Sequence, residues 1–522
     1  MRFQFHTMGA SGMKGKRSNG MTSSSHYGRS SVIGLPIKNW LVIGLILLGA
    51  ALRINGLARN SRLHPDEALF ASYARQMVLY KDWNLYEEPI DKPPTTFVLV
   101  GGSLAFLGEH EFAVRFPNFC ASVLSLAITY QLARKLNSEK VAQLALFFLA
   151  LSPLDIAYAP TGFQDPMMLF TLLASTLLLL HQRWLWGGVW LGLAFCMKPT
   201  AIYMYPLIIG LNILHHNFIH WRKWLYSFVG TVLPIAILIL WDMNRAAQSL
   251  FELGNYNNNP NRFIRSDEVL PRAWRWLDEL SLITATPLIG GCLLLLSALW
   301  LWQSFSQRQK KGILAWWIAT YCFLYFGWHW LIAFPIYERY WLPLLPFITL
   351  VIAQSLAWFI KKWQLVGIVF LIITFVELWQ PAHKAIHLTD PQHGQQIDQV
   401  SQLLLEKYQN QIVYDYSLGW QLRWYLGQNP HVMVVYFPTA ELLAKHLIQN
   451  NEWPRYFIVP NRQNARLWLM ILEAYDIQVT TIFDEGNVAL FELRSNTASS
   501  WVSKATHSAK HLAVFRHSHS KQ

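Results

Sequence analysis

Apolar runs close to the length of a bilayer span recur along the first 380 residues, separated by short polar loops. A spanning helix needs about 17–25 mostly apolar residues. By that measure the chain predicts about eleven crossings, near 39–58, 116–133, 141–158, 167–181, 185–197, 200–214, 225–241, 286–302, 312–329, 340–360 and 364–380. A further run, Thr95 to Gly108, is apolar but only fourteen residues long, which is short for a span. If it crossed, Arg134, Lys135 and Lys140 would face outward. If it is re-entrant or interfacial they fall inside, together with Arg183, Arg222, Lys223, Arg308, Lys310, Lys311, Lys361 and Lys362. The second arrangement satisfies the positive-inside rule at every short basic loop. It leaves four segments outside, 59–115, 159–166, 242–285 and 330–339, together with the chain from 381 onward.

The pattern changes after residue 380. Helical runs alternate with five β-rich runs, Ile412–Tyr416, Val432–Phe437, Tyr456–Pro460, Val479–Phe483 and Val488–Leu493. Such alternation predicts a small α/β domain over 381–495. It has no glycine-rich G-x-G-x-x-G turn, so no nucleotide is assigned to it. The last segment, 496–522, is rich in Ser, His and Lys and reads as a disordered tail. Its histidines, His507, His511, His517 and His519, read as solvated rather than metal-bound.

Composition supports the membrane reading. Of 522 residues only 14% are charged and 53% are hydrophobic. A soluble protein carries about 25% charged residues, and disorder needs low hydrophobicity with high charge. The net charge of +13 would suggest nucleic acid, but its position argues otherwise. Residues 1–38, read as a cytoplasmic tail, hold six Lys or Arg and no acid, and residues 496–522 hold four and no acid. The basic N-terminal tail places that end inside. Cys120, Cys196, Cys292 and Cys322 all lie in apolar runs, so neither a disulfide framework nor a zinc knuckle is expected.

The chemistry concentrates in the outer segments. The first opens with His64-Pro65-Asp66-Glu67, and further on comes Asp91-Lys92-Pro93-Pro94. Asp165 stands in Gly162-Phe163-Gln164-Asp165-Pro166. Each acid has a plain structural explanation, because Pro and acids suit the first turn of a helix. Their common depth argues against three separate coincidences. On this topology Asp66, Glu67, Asp91 and Asp165 all lie at one membrane surface, where unpaired carboxylates are costly. Lys92, Arg115, Arg262, Arg265 and Arg339 lie in the same layer. A carboxylate can take a proton from a hydroxyl while cations hold a phosphate leaving group. His329, flanked by Trp at a helix end, reads as structural.

These motifs, with Glu338-Arg339-Tyr340-Trp341-Leu342-Pro343, occur in the same order in GT-C membrane glycosyltransferases. The sequence most resembles the protein O-mannosyltransferase and aminoarabinose-lipid A transferase group, over about residues 40–380 and most strongly over 60–170. The resemblance implies an all-α polytopic GT-C domain over 39–380, with a small extracytoplasmic α/β domain after it. It implies transfer of a sugar from a polyprenyl-phosphate donor to a lipid, glycan or protein hydroxyl, without nucleotide or nucleic acid. Carried over by position, Asp66 is the general base, with Glu67 beside it, and Asp165 a functional acid. Lys92, Arg262, Arg265 and Arg339 would hold the donor phosphate, and Asp91 stands where the aminoarabinose transferases have a metal-binding Glu. A divalent cation on Asp91 is therefore an expectation. The 242–285 segment departs from those enzymes, because Asn257-Asn258-Asn259-Pro260-Asn261-Arg262-Phe263 supplies Arg but no metal-binding His.

Two other classes compete. A secondary transporter or lipid-linked sugar flippase would also have many spans, and Lys198 in Met197-Lys198-Pro199 is the best residue for it. Transporters, however, place substrate groups near the midplane, whereas the acids here gather in outer segments. A non-catalytic scaffold leaves those acids unexplained.

Overall fold

The computed structural model describes residues 37–495 except 59–60, 217–219, 285, 308, 385–394, 428–430, 451, 464 and 486. The expectations for the N-terminal tail up to residue 36 and for the 496–522 tail with its histidines lie outside the described residues.

Among the described residues, sixteen α-helices precede residue 385. They are α1 (Ile37–Leu57), α2 (Pro65–Val78), α3 (Thr95–Leu107), α4 (Glu111–Leu136), α5 (Glu139–Ala150), α6 (Pro153–Tyr158), α7 (Asp165–Leu180) and α8 (Trp184–Met197). Then follow α9 (Tyr205–His216), α10 (Trp221–Met243), α11 (Leu250–Asn258), α12 (Val269–Thr284), α13 (Pro287–Ser306), α14 (Lys310–Leu331), α15 (Leu345–Lys362) and α16 (Gln364–Lys384). Each of the eleven apolar runs lies on one of these helices or on two short pieces. Five stretches, Trp40–Leu57 within α1 and the whole of α4, α10, α13 and α15, are long and apolar enough to cross a membrane alone. The protein is an integral membrane protein. The thirteen residues of α3 extend about 20 Å at 1.5 Å per residue, short of a hydrocarbon core of about 30 Å.

Prolines, which cannot continue a helix, interrupt the apolar pattern at two places, once inside a run and once between two runs. The run over 141–158 splits into α5 and α6 before Pro153, and a 3₁₀ turn, Pro199–Met204, separates α8 from α9. The first break frees carbonyls. Arg53 of α1, fully buried, donates to the Leu149 and Ala150 carbonyls, and it pairs with Asp155 of α6. Ser122 of α4 completes the group by donating to Asp155 at 2.9 Å. A charge at that depth persists only when paired and hydrogen-bonded in this way. Close approach of α8 and α10 depends on glycine. A Cβ on Gly188 would collide with the Ser227 carbonyl, and one on Gly192 with the Thr231 carbonyl, the small-residue packing usual between membrane helices.

The helix ends sort by charge. Lys223 donates to Gln182, Lys310 to the His215 carbonyl and Lys311 to the Asn137 carbonyl. These bonds join four of the basic loops at one end of the helical domain. Asp165, Lys198 and the 3₁₀ turn Glu338–Trp341 stand at the opposite ends of α7, α8 and α15.

Beyond residue 395 all five β-rich runs form strands: β1 (Gln411–Asp415), β2 (Val432–Tyr436), β3 (Arg455–Val459), β4 (Ile477–Asp484) and β5 (Ala489–Ser495). The sheet order is β2-β1-β3-β5-β4, with β2, β1 and β3 parallel and β5 antiparallel to both its neighbours. Successive residues of a strand face opposite sides. Thus Val413, Tyr456 and Leu490 pack under α17 (Ile397–Lys407) and α18 (Gly419–Tyr425). Tyr414, Phe457 and Phe491 pack under α19 (Ala440–Asn450) and α20 (Arg466–Ala474). Helix α18 also lies against α2, which ties the sheet domain to the element carrying Asp66 and Glu67.

Candidate active site

The site begins at the first turn of α2. His64 is the N-cap, Pro65 the first helical residue, and Glu67 closes a capping box by accepting from the His64 amide at 2.9 Å. Glu67 is buried and fully engaged. It accepts from the Gly162 amide at 2.6 Å and from Arg115 at 3.0 and 3.2 Å. Burial pushes this carboxyl up, but the Arg115 charge and these hydrogen bonds outweigh it and hold it below the usual carboxylate range. Glu67 thereby ties α2 to α4 and to the segment before α7. One residue earlier, about 100° around the helix, Asp66 keeps 45% of its side-chain surface and has Arg339 at 3.6 Å.

Arg339 sits on the 3₁₀ turn before α15 with its guanidinium over two rings, 4.7 Å from Phe163 and 4.8 Å from Tyr337. Burial would lower its pKa, but Asp165 and Asp66 raise it further, so it stays a cation. Asp165 opens α7 and is buried, with Lys198 spanning both its oxygens at 2.7 and 2.9 Å. The same ammonium lies 5.5 Å from the Tyr340 ring. A cavity of about 350 Å³ gathers Asp91, Lys92, Lys198 and Arg339, with Tyr203, Tyr325, Tyr340 and His329 along its wall. Lys92 pairs with Asp91 at 2.6 Å.

Of the sequence candidates, Asp91, Lys92 and Arg339 line this cavity, and Arg339 connects it to Asp66. Asp165 stands behind it as the counter-ion of Lys198. Arg262 and Arg265 lie elsewhere. Glu268 accepts both arms of Arg262 at 2.7 Å and also bonds the Arg265 amide, which fixes a local turn on the surface. The 242–285 segment reaches the cavity through α11 instead, where Asn257 and Asn258 donate to Asp91 at 3.3 and 3.5 Å. Tyr203 and Tyr325 carried no sequence signal, being aromatic residues within apolar runs. Tyr340 stood inside the Glu-Arg-Tyr-Trp-Leu-Pro motif.

The donor set does not suit a resident metal. Asp91 already has an ammonium and two amides on it, and among the described residues no three His, Cys, Asp or Glu side chains converge. Two apolar grooves have lining residues next in sequence to those of the cavity. One, of about 760 Å³, is lined by Pro94, Thr95, Phe170, Met197 and Trp241. The other, of about 830 Å³, is lined by Trp276, Phe323, Trp330 and Trp341.

Solved structures share this architecture. The ArnT of Cupriavidus metallidurans bound to undecaprenyl phosphate superposes with a TM-score of 0.63 at 13% identity, covering 89% of this chain and 99% of that one. The chain has the GT-C fold. A second GT-C structure, the Archaeoglobus fulgidus oligosaccharyltransferase, gives a TM-score of 0.58 at 11% identity, covering 87% and 73%. Residues 91–241 of this GT-C chain match the family model of dolichyl-phosphate-mannose-protein mannosyltransferases. The undecaprenyl phosphate-alpha-4-amino-4-deoxy-L-arabinose arabinosyl transferase of Pseudomonas aeruginosa PAO1 is 24% identical over 276 residues, 49% of each chain. The Bacillus subtilis protein YkcB, named as a mannosyltransferase, is 32% identical over 122 residues, 22% of this chain and 17% of that one. The chain spans about half the length of the curated arabinosyl transferases it matches.

Proposed function

We propose that this protein is an inverting membrane glycosyltransferase that moves a sugar from a polyprenyl-phosphate donor to a hydroxyl acceptor at the outer face of the membrane. The observation that carries the reading is a solvent-reachable carboxylate, Asp66, joined through Arg339 to a cavity lined by Lys92 and Lys198. The cations suit a phosphate. The apolar groove lined by Pro94 and Met197, close in sequence to Lys92 and Lys198, suits a polyprenyl chain. The outward placement rests on the positive-inside rule and on the clustering of the basic loops at the far end.

In this mechanism Asp66 accepts the proton of the acceptor hydroxyl. The oxygen forms a bond to the anomeric carbon as the bond from that carbon to the phosphate oxygen breaks. One displacement inverts the anomeric configuration. The bonding electrons leave with the polyprenyl phosphate, whose growing charge Lys92, Lys198 and Arg339 stabilise. Glu67, saturated by Arg115, Gly162 and His64, holds the turn that presents Asp66, and Asp165 orients Lys198. The acceptor hydroxyl belongs to a lipid, glycan or protein.

The test incubates purified protein in vesicles with polyprenyl-phosphate-linked sugars and envelope acceptors. Free polyprenyl phosphate together with a glycosylated acceptor is expected. Movement of the donor lipid between leaflets with no covalent product would replace this reading with a flippase.

A further inference from the structure

The cavity wall holds a histidine that the mechanism above does not use. His329 lies in the last turn of α14, only 4% exposed, and lines the same cavity as Lys198 and Arg339. Its ring is enclosed by aromatic neighbours, with centroids 4.5 Å away at Tyr325, 5.3 Å at Tyr340, 5.6 Å at Phe334 and 6.1 Å at Tyr203 and Trp276. Neither ring nitrogen has a hydrogen-bond partner among the described residues. Nine in ten or more of buried polar groups do have one, and an unmet one costs roughly 1–3 kcal/mol. A phenyl ring would fill this aromatic enclosure without that cost. The nitrogens of a ring that packs like Phe are therefore placed for a ligand.

The ligand's chemistry follows from the other groups on the wall. Lys198 and Arg339 line the cavity together with His329, and the Arg339 Nε is also buried without a partner. A neutral imidazole carries one N–H donor in either tautomer. Three donor-bearing side chains lining one cavity suit an anionic oxygen. We propose that His329 contacts the substrate directly, its ring N–H donating to a phosphate oxygen of the bound polyprenyl-phosphate sugar beside Lys198 and Arg339. The inference rests on the function proposed above and adds a residue to it, in place of the packing role that its Trp-flanked position suggests.

Two measurements test it on the full-length purified protein. His329→Phe keeps the ring and its packing but removes the donor, whereas His329→Gln keeps an N–H. The Phe variant is expected to raise the donor KM and the inhibition constant of undecaprenyl phosphate at least about tenfold, with an unfolding temperature equal to or above that of the wild type. The Gln variant should recover most of that loss. Wild-type constants in the Phe variant would assign His329 to packing and overturn the inference while leaving the transferase reading intact. Independently of any variant, the ¹⁵N resonances of the His329 ring in wild-type protein should shift on addition of undecaprenyl phosphate and not of undecaprenol. No shift, or the same shift with both lipids, overturns the phosphate contact. Absence of both transfer and undecaprenyl phosphate binding in the wild type would instead remove the function on which it rests.

Discussion

Asp66 and Glu67 are adjacent acids with opposite fates. The capping box, Arg115 and Gly162 consume Glu67 and leave Asp66 beside a cavity cation. Sequence alone could place both acids in a helix first turn, but not separate them, because the groups that saturate Glu67 come from residues 115 and 162. Glu67→Gln should destabilise the protein by roughly 3–5 kcal/mol at neutral pH, the usual loss when one partner of a buried ion pair is removed. Since the folded pKa of Glu67 is depressed, its stabilisation is present above the unfolded carboxylate range, about 4.3, and is lost as pH falls through the folded value. Thermal unfolding midpoints of wild type and variant should therefore differ at pH 7 and approach each other in acid. Asp91 already has Lys92, Asn257 and Asn258 on its Oδ2. Transfer should persist after chelation and dialysis, and a loss restored by a divalent ion would put a cation on Asp91 after all.

At the scale of elements, Pro153 and Pro199 mark interruptions of the apolar pattern, and β-rich composition marks the five strands. The clamp between α18 and α2 was illegible, because it joins residues more than 300 positions apart. The Tyr425 hydroxyl accepts from the Leu63 amide at 2.9 Å and donates to Glu111 at 3.0 Å. Gln421 donates to the Leu63 carbonyl, and Arg423 pairs with Glu88. In return, Arg75 of α2 donates to the Trp424 and Arg423 carbonyls. The sheet domain thus grips the segment immediately before His64 as well as the body of α2. Tyr425→Phe leaves the Leu63 amide and Glu111 without this partner, a loss of about 1–3 kcal/mol. It is expected to lower kcat several-fold with the donor KM little changed. An unchanged kcat would mean that α18 merely rests on α2.

For the whole molecule, composition and basic-loop spacing were enough to read a polytopic membrane protein. They could not supply the pairing of Lys198 with Asp165, which depends on how α7 and α8 pack. The two ends differ in chemistry, with joined basic loops at one and the cavity with its sheet domain at the other. In intact cells, a cysteine placed at Lys223 should resist a membrane-impermeant thiol reagent, and one placed at Gln402 should react. The reverse labelling would invert the topology. The most direct measurement of the central claim is the rate of sugar transfer from a polyprenyl-phosphate donor by purified Asp66→Asn beside wild type. A loss of about 10²-fold or more with undecaprenyl phosphate binding intact is predicted for removal of a general base, and wild-type turnover in the variant would contradict it.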